Sequence, residues 1–258
     1  MRAVVTNAIG CALVWLALPL GVAAQGGRGQ APATPATPRA AAPFDLTGYW
    51  VSVVSEDWAW RMVTPRKGDY ASVPLNDEGR RAAGLWDPAK DEETGNQCRS
   101  YGAAHIMRVP GRVHVTWEND ATLKIETDAG QQTRLLRFGG SPAPAGEPDW
   151  QGQSIATWDV AAGRGIAGRG APPPRSGSLK VVTTRMKPGY LRKNGVPYSE
   201  NALVTEYFDR HVESNGEWFT VTTIVEDPKY LMQPFITSTD FKKEPDGSKW
   251  RPVPCTAR

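Results

Sequence analysis

Tyr207, Asp209 and His211 alternate along TEYFDRH, and two-residue spacing on an extended strand puts all three on one face. A phenol, a carboxylate and an imidazole so placed could move protons on a small molecule. That is the chemistry of a lyase or isomerase, with His105 as a further base. The same spacing puts Glu206, Phe208 and Arg210 on the opposite face. Either set could turn inward, where loss of water would raise a carboxylate's pKa. An exposed face of charges paired across strands is the competing reading.

Other chemistries find less support. His105, His114 and His211 stand far apart with no i, i+4 pair. Strand pairing would permit His114 and His211 to meet near Glu118, Glu206 or Asp209, as a metal-dependent hydrolase would need. Nothing in the spacing indicates it, so no metal and no cofactor is expected. There is no Gly-x-Ser-x-Gly, and Ser199 in PYSEN has no histidine beside it. Gly163, Gly165 and Gly168 match the spacing of a dinucleotide fingerprint. The APPP that follows forbids the helix whose N-terminus would hold a pyrophosphate.

Aromatic rings form the stronger pattern. Trp58 and Trp60 in WAWRMV would share one face of a strand, and Val113, Val115 and Trp117 alternate with Arg112, His114 and Thr116. Rings beside Arg, His and Tyr suit a pocket for an apolar or aromatic molecule. The expected lining is Trp58, Trp60, Arg61, His114, Trp117 and either Tyr207 or Phe208, with Tyr198 and Asn201 in a closing loop. Arg61 and His114 would orient the ligand's polar end. Core filling is the bland alternative for each tryptophan.

Elements must position these groups. YWVSVV, WAWRMV, RVHVTW, TLKIET, TRLLRF, SIATWDV, SLKVVTT, ALVTEYFDR, EWFTVTTIV and FITSTDF read as about ten strands with period two. Asn215-Gly216 is a strong hairpin signal. Asn76 to Trp86 predicts one short helix, capped by Asn76, and CRSYGAAHIM a further helical turn. GGSPAPAGEPD, AAGRGIAGRGAPPPRSG and KPGYLRKNGVPYSEN read as loops, the last as an ordered lid. No fixed-period repeat is present, which argues against a propeller or solenoid. The expectation is an all-β fold, a meandering antiparallel barrel whose closure removes exposed edges, with a two-sheet sandwich as alternative.

The first 24 residues read as a signal peptide: a charged start at Arg2, an apolar run, then Val22 and Ala24 before Gln25. Residues 25–43, rich in Ala and Pro, read as a disordered linker, leaving 44–258 for the barrel domain. The protein is therefore expected in the periplasm or secreted, with no membrane span after signal removal. Export removes Cys11 and leaves Cys98 and Cys255, which should pair in an oxidising compartment. Loss of Arg2 lowers the formal net charge from +3 to +2, too small and dispersed for a nucleic-acid partner.

DLTGYW resembles the Gly-x-Trp entry strand of the lipocalins and wider calycin barrels. The resemblance implies a barrel in which Gly48 lets the chain bend into the base and Trp50 plugs that end. Val51 departs from it, standing where those families favour an aromatic or basic residue. NGVPYSENALVTEYFDR, TTIVEDPKYLMQPF and FKKEPDGSKW are similar to a group of uncharacterised exported bacterial proteins. That likeness implies export and β-rich architecture and brings no catalytic residue. The function expected is that of an exported protein enclosing a small apolar or aromatic molecule in its barrel, with a lyase or isomerase acting on such a molecule there as the alternative.

Overall fold

The computed structural model describes residues 36–140, 146–161 and 176–258. Residues 1–24, expected to be a signal peptide, residues 25–35 of the expected linker and the GRGIAG segment lie outside them. The fold is all-β, built on a closed barrel of nine strands. In chain order these begin with β1 (Gly48–Val53), β2 (Arg112–Asn119), β3 (Thr122–Thr127) and β4 (Thr133–Phe138). β5 (Gln153–Ala161) and β6 (Ser176–Thr184) follow. β7 (Gly189–Arg192) and β8 (Val196–Tyr198) leave the wall as a separate two-stranded sheet. β9 (Leu203–Glu213), β10 (Gly216–Glu226) and β11 (Phe235–Glu244) complete the wall in the order β1-β11-β10-β9-β6-β5-β4-β3-β2.

Three expectations are corrected. β4 and β5 pair in parallel, Leu136 opposite Ser154, so the wall is not a pure antiparallel meander. The insert between them is long enough for the chain to return to the same end, which a tight hairpin cannot do. The predicted lid is the hairpin β7–β8, turned at Asn194-Gly195 with Gly195 at φ 83°. WAWRMV is no strand: Trp58–Arg61 is a short helix, α1. Asp57 takes a left-handed φ of 53°, breaking the extended run, and its carbonyl accepts from the N–H groups of Trp60 and Arg61. Trp58 and Trp60 therefore do not share a strand face.

The predicted helix forms as α2 (Asp77–Gly84), with the Asn76 side chain accepting from the Gly79 N–H at 2.8 Å. α3 (Pro88–Glu93) follows, opened by Pro88 and capped by Asp87. Two 3₁₀ turns, Gln97–Tyr101 and Ile106–Arg108, replace the expected helical turn. Cys98 and Cys255 are disulfide-bonded, their Cα atoms 5.1 Å apart. No helix among the described residues is long and apolar enough to cross a membrane. Ordered contacts begin before Phe44: the Trp158 indole N–H donates to the Pro38 carbonyl, and the Arg39 N–H to the Asp120 carbonyl.

Alternation decides what fills the barrel. On β9, Val204, Glu206 and Phe208 are buried; on β10, Phe219, Val221, Thr223 and Val225 are. Pairing sets these in rows around the wall: Val204–Val225–Phe235, then Glu206–Thr223–Thr237, then Phe208–Val221–Thr239. The first row joins the apolar core of the cap, with Leu75, Leu191, Val196 and Tyr198. The interior beyond the third row is aromatic. Trp50 is fully buried, edge-on to Phe219 at 4.8 Å, and Phe219 stacks on Phe241 at 4.7 Å. Trp117, Phe138, Trp158 and Phe44 form a second run of ring contacts at 5.3 to 5.6 Å. Gly48 has φ 120°, a conformation that side chains resist, so glycine there is a backbone requirement.

Candidate functional site

At the capped end, α1, the Ile106–Arg108 turn and β7–β8 gather three arginines that a core would ordinarily exclude. Arg61, Arg108 and Arg192 are all buried. Arg61 donates from Nη1 to Glu56 at 2.6 Å and from Nε to the Arg108 carbonyl at 3.0 Å. Arg108 donates from Nη2 to Asp57 at 2.7 Å. Arg192 lies over the Trp60 ring, 4.7 Å from its centroid, and the Trp60 indole donates to Asp69 at 3.1 Å. The Asn194 amide straps the adjoining loop by donating to the Arg66 and Asp69 carbonyls. The helix, the turn and the hairpin are thus held together by their polar groups.

These hydrogen bonds do not satisfy the cluster. Among the described residues, Arg61 Nη2, Arg108 Nη1 and all three nitrogens of Arg192 are buried without an acceptor, and Asn194 Oδ1 is buried without a donor. Burial lowers the pKa of both Arg61 and Arg192. The positive field of Arg108 adds to this, opposed by Glu56 and Asp57 at Arg61 and by Asp57 and Asp69 at Arg192. His105 is buried in the same field. Its Nδ1 is 2.7 Å from the Ser100 carbonyl, which can only accept, so that nitrogen carries the proton. Desolvation, with smaller contributions from Arg108, Lys193 and Arg61, pushes its pKa down to about 3 against the Ser100 bond. The imidazole is neutral at pH 7 and keeps an Nε2 lone pair.

Of the expected lining, this cluster contains Trp60 and Arg61. Trp58 is 69% exposed on α1. His114 is outside the wall, stacked on Tyr49 at 4.0 Å with Nδ1 3.4 Å from Glu126. Trp117 and Phe208 belong to the aromatic interior. Tyr198 is buried in the cap core, where burial raises its pKa, and Asn201 is exposed just beyond β8.

The proposed proton-transfer set is not brought together. Phe208 and Glu206 occupy the inward face of β9, so Tyr207, Asp209 and His211 face out. Tyr207 sits by Lys180, and Asp209 accepts from Ser178. His105 lies in the capped end instead. Three strands, β1, β11 and β10, separate β2 with His114 from β9 with His211. No group of three or more His, Cys, Asp or Glu is arranged for a metal among the described residues.

Sequence reasoning missed Arg108, Arg192 and Asn194. Asn194-Gly195 is the same dipeptide signal recognised at Asn215-Gly216, and it marks the hairpin that carries Arg192. Nothing local to Arg108 announces its burial. Inside the barrel, Glu206 accepts from Arg134 at 3.0 and 2.6 Å, both side chains fully buried, with Thr183 and Ser154 beside them. That carboxylate is spoken for. No family model, curated protein or solved structure matches the chain.

Proposed function

We propose that the protein is exported and binds a small molecule with an apolar or aromatic body at the capped end of its barrel, beside Trp60. The observation that carries this is a concentration of unpartnered atoms: of 14 buried side-chain polar atoms without a partner among the described residues, six belong to Arg61, Arg108, Arg192 and Asn194, around one partly exposed indole. A buried polar atom without a partner costs about 1–3 kcal/mol, more when charged. A ligand that supplies the partners recovers that cost, and the Trp60 ring shields its apolar body from water. The placement departs from the expected one inside the barrel, because the Trp50–Phe219–Phe241 and Trp117–Phe138–Trp158 contacts occupy space that a lipocalin-like ligand would take.

Native mass spectrometry of the protein purified from its own host tests the reading. A retained small molecule, lost or exchanged faster in Trp60→Ala than in Trp58→Ala, supports it. A bare protein whose tryptophan fluorescence ignores a panel of apolar and aromatic compounds overturns it. Export is tested separately by N-terminal sequencing of the mature chain. A start at Gln25 is expected, and an uncleaved chain confined to the cytoplasm would end that part.

A further inference from the structure

We infer that the site takes an oxyanion headgroup, tetrahedral like a phosphate or sulfate, held by Arg61, Arg108 and Arg192. The inference rests on the binding site proposed above and names the chemistry of its ligand. Donors dominate the unpartnered atoms: one nitrogen of Arg61, one of Arg108 and three of Arg192, against a single amide oxygen on Asn194. The missing partner must therefore present acceptors. It must also be negative. Arg61 and Arg108 each have a carboxylate, Glu56 and Asp57, but Arg192 makes no salt bridge among the described residues. Asp69 contributes to the field at Arg192 while its carboxylate accepts from the Trp60 indole. A buried cation with no ion-pair partner is strongly unfavourable, and an anion removes that penalty.

Shape favours a tetrahedral group over a carboxylate. One guanidinium fork satisfies a planar carboxylate. Here the donors come from three separate elements, α1, the Ile106–Arg108 turn and β7, which suits oxygens pointing in several directions. Neutral His105 adds no competing charge.

The test is titration of the disulfide-intact mature protein with inorganic phosphate, sulfate, acetate and chloride, read by calorimetry and by the shift in Tm. Phosphate or sulfate should bind and raise Tm more than acetate or chloride, with affinity falling as salt rises. Arg192→Met should weaken that binding by about tenfold or more, the loss expected for a charge-assisted contact. Lys180→Gln, a charge loss on the outer wall, should leave it unchanged. Because Arg192→Met could alter folding, its anion-free Tm and circular dichroism are compared first. A folded variant that still responds to phosphate like the parent overturns the inference, as does a parent that responds to chloride as strongly as to phosphate. Phosphate against sulfate separates the two headgroups, and inorganic phosphate against a phosphate monoester separates free ion from ester. If a neutral organic molecule is retained while every anion fails, the binding site stands and its oxyanion character falls. If anions bind and no organic molecule does, the oxyanion site stands and the apolar body proposed for its ligand falls.

Discussion

Beyond the Phe208–Val221–Thr239 row the barrel interior is rich in rings: Trp50–Phe219–Phe241 and Phe138–Trp158 are in contact, and their polar needs end at two indole bonds, Trp50 donating to the Leu46 carbonyl and Trp158 to the Pro38 carbonyl. Toward the cap, the same wall turns inward Glu206, Thr223, Thr237, Arg134, Ser154 and Thr183, and the cap adds Arg61, Arg108, Arg192 and His105. Both regions exclude water to a similar degree. The aromatic one needs nothing further, since apolar burial is favourable without partners. The polar one is stable only as far as its hydrogen bonds are completed. Arg134 and Glu206 answer each other's charge, although Arg134 Nε still lacks an acceptor, whereas Arg192 has no carboxylate in salt-bridge contact among the described residues. Burial alone is therefore no guide to function in this molecule, and a buried charge without a counter-charge is.

The largest effects should come from the disulfide, which lies in the same core cluster as the rings, and from the ionic tie of the polar region. Replacing Cys98 and Cys255 by Ser opens a link between residues 157 apart. The chain-entropy relation gives a loss of about 5 kcal/mol, measurable by urea unfolding. Glu206→Gln leaves Arg134 buried without its counter-charge and should cost about 3–5 kcal/mol. The double variant Arg134→Met/Glu206→Leu should recover most of that loss. If it does not, the pair does more than satisfy itself, and the contrast with Arg192 weakens. Phe219→Ala, in the aromatic region, should also cost about 3–5 kcal/mol, through a cavity. It should leave ligand retention by native mass spectrometry unchanged per folded molecule.

His105 gives a pH signature. Its folded pKa, about 3, lies below the ordinary value of 6.5. Between the two values the unfolded chain binds the proton and the folded chain does not. Stability from this residue is therefore complete above pH 6.5 and is lost as pH falls toward 3, by up to about 1.4 kcal/mol per unit. His105→Gln should flatten that part of a Tm–pH profile, and an unchanged slope would place the acid sensitivity elsewhere. The smallest effect belongs to the outer wall: Tyr207→Phe should change stability by about 0.5 kcal/mol or less. Ligand retention should not respond.

Local patterns made much of the barrel legible. The two-residue alternation of TEYFDRH, RVHVTW and EWFTVTTIV survives in β9, β2 and β10, the Asn76 cap survives in α2, and Gly48 is where the backbone needs a glycine. The same alternation misled at WAWRMV. Rings two apart fit a strand as well as an exposed helical turn, and Asp57's left-handed backbone and Arg61's bonds to the nearby Glu56 and the distant Arg108 carbonyl decided between them. Which face of β9 turned inward was also undecided locally, because each face carries a carboxylate and a ring; Phe208 and Val204 settled it by packing.

By itself, then, the sequence determined most strands and turns, since these depend on neighbours a few residues away. Of the site, the sequence offered Trp60 and Arg61; tertiary structure decided the rest. Arg61, Arg108 and Arg192 come from three distant segments, and Arg108 and Arg192 each look like an ordinary surface arginine in their own stretch. Whether a guanidinium finds a partner depends on which groups the closed barrel and its cap bring within hydrogen-bonding distance, and that is a property of the whole fold.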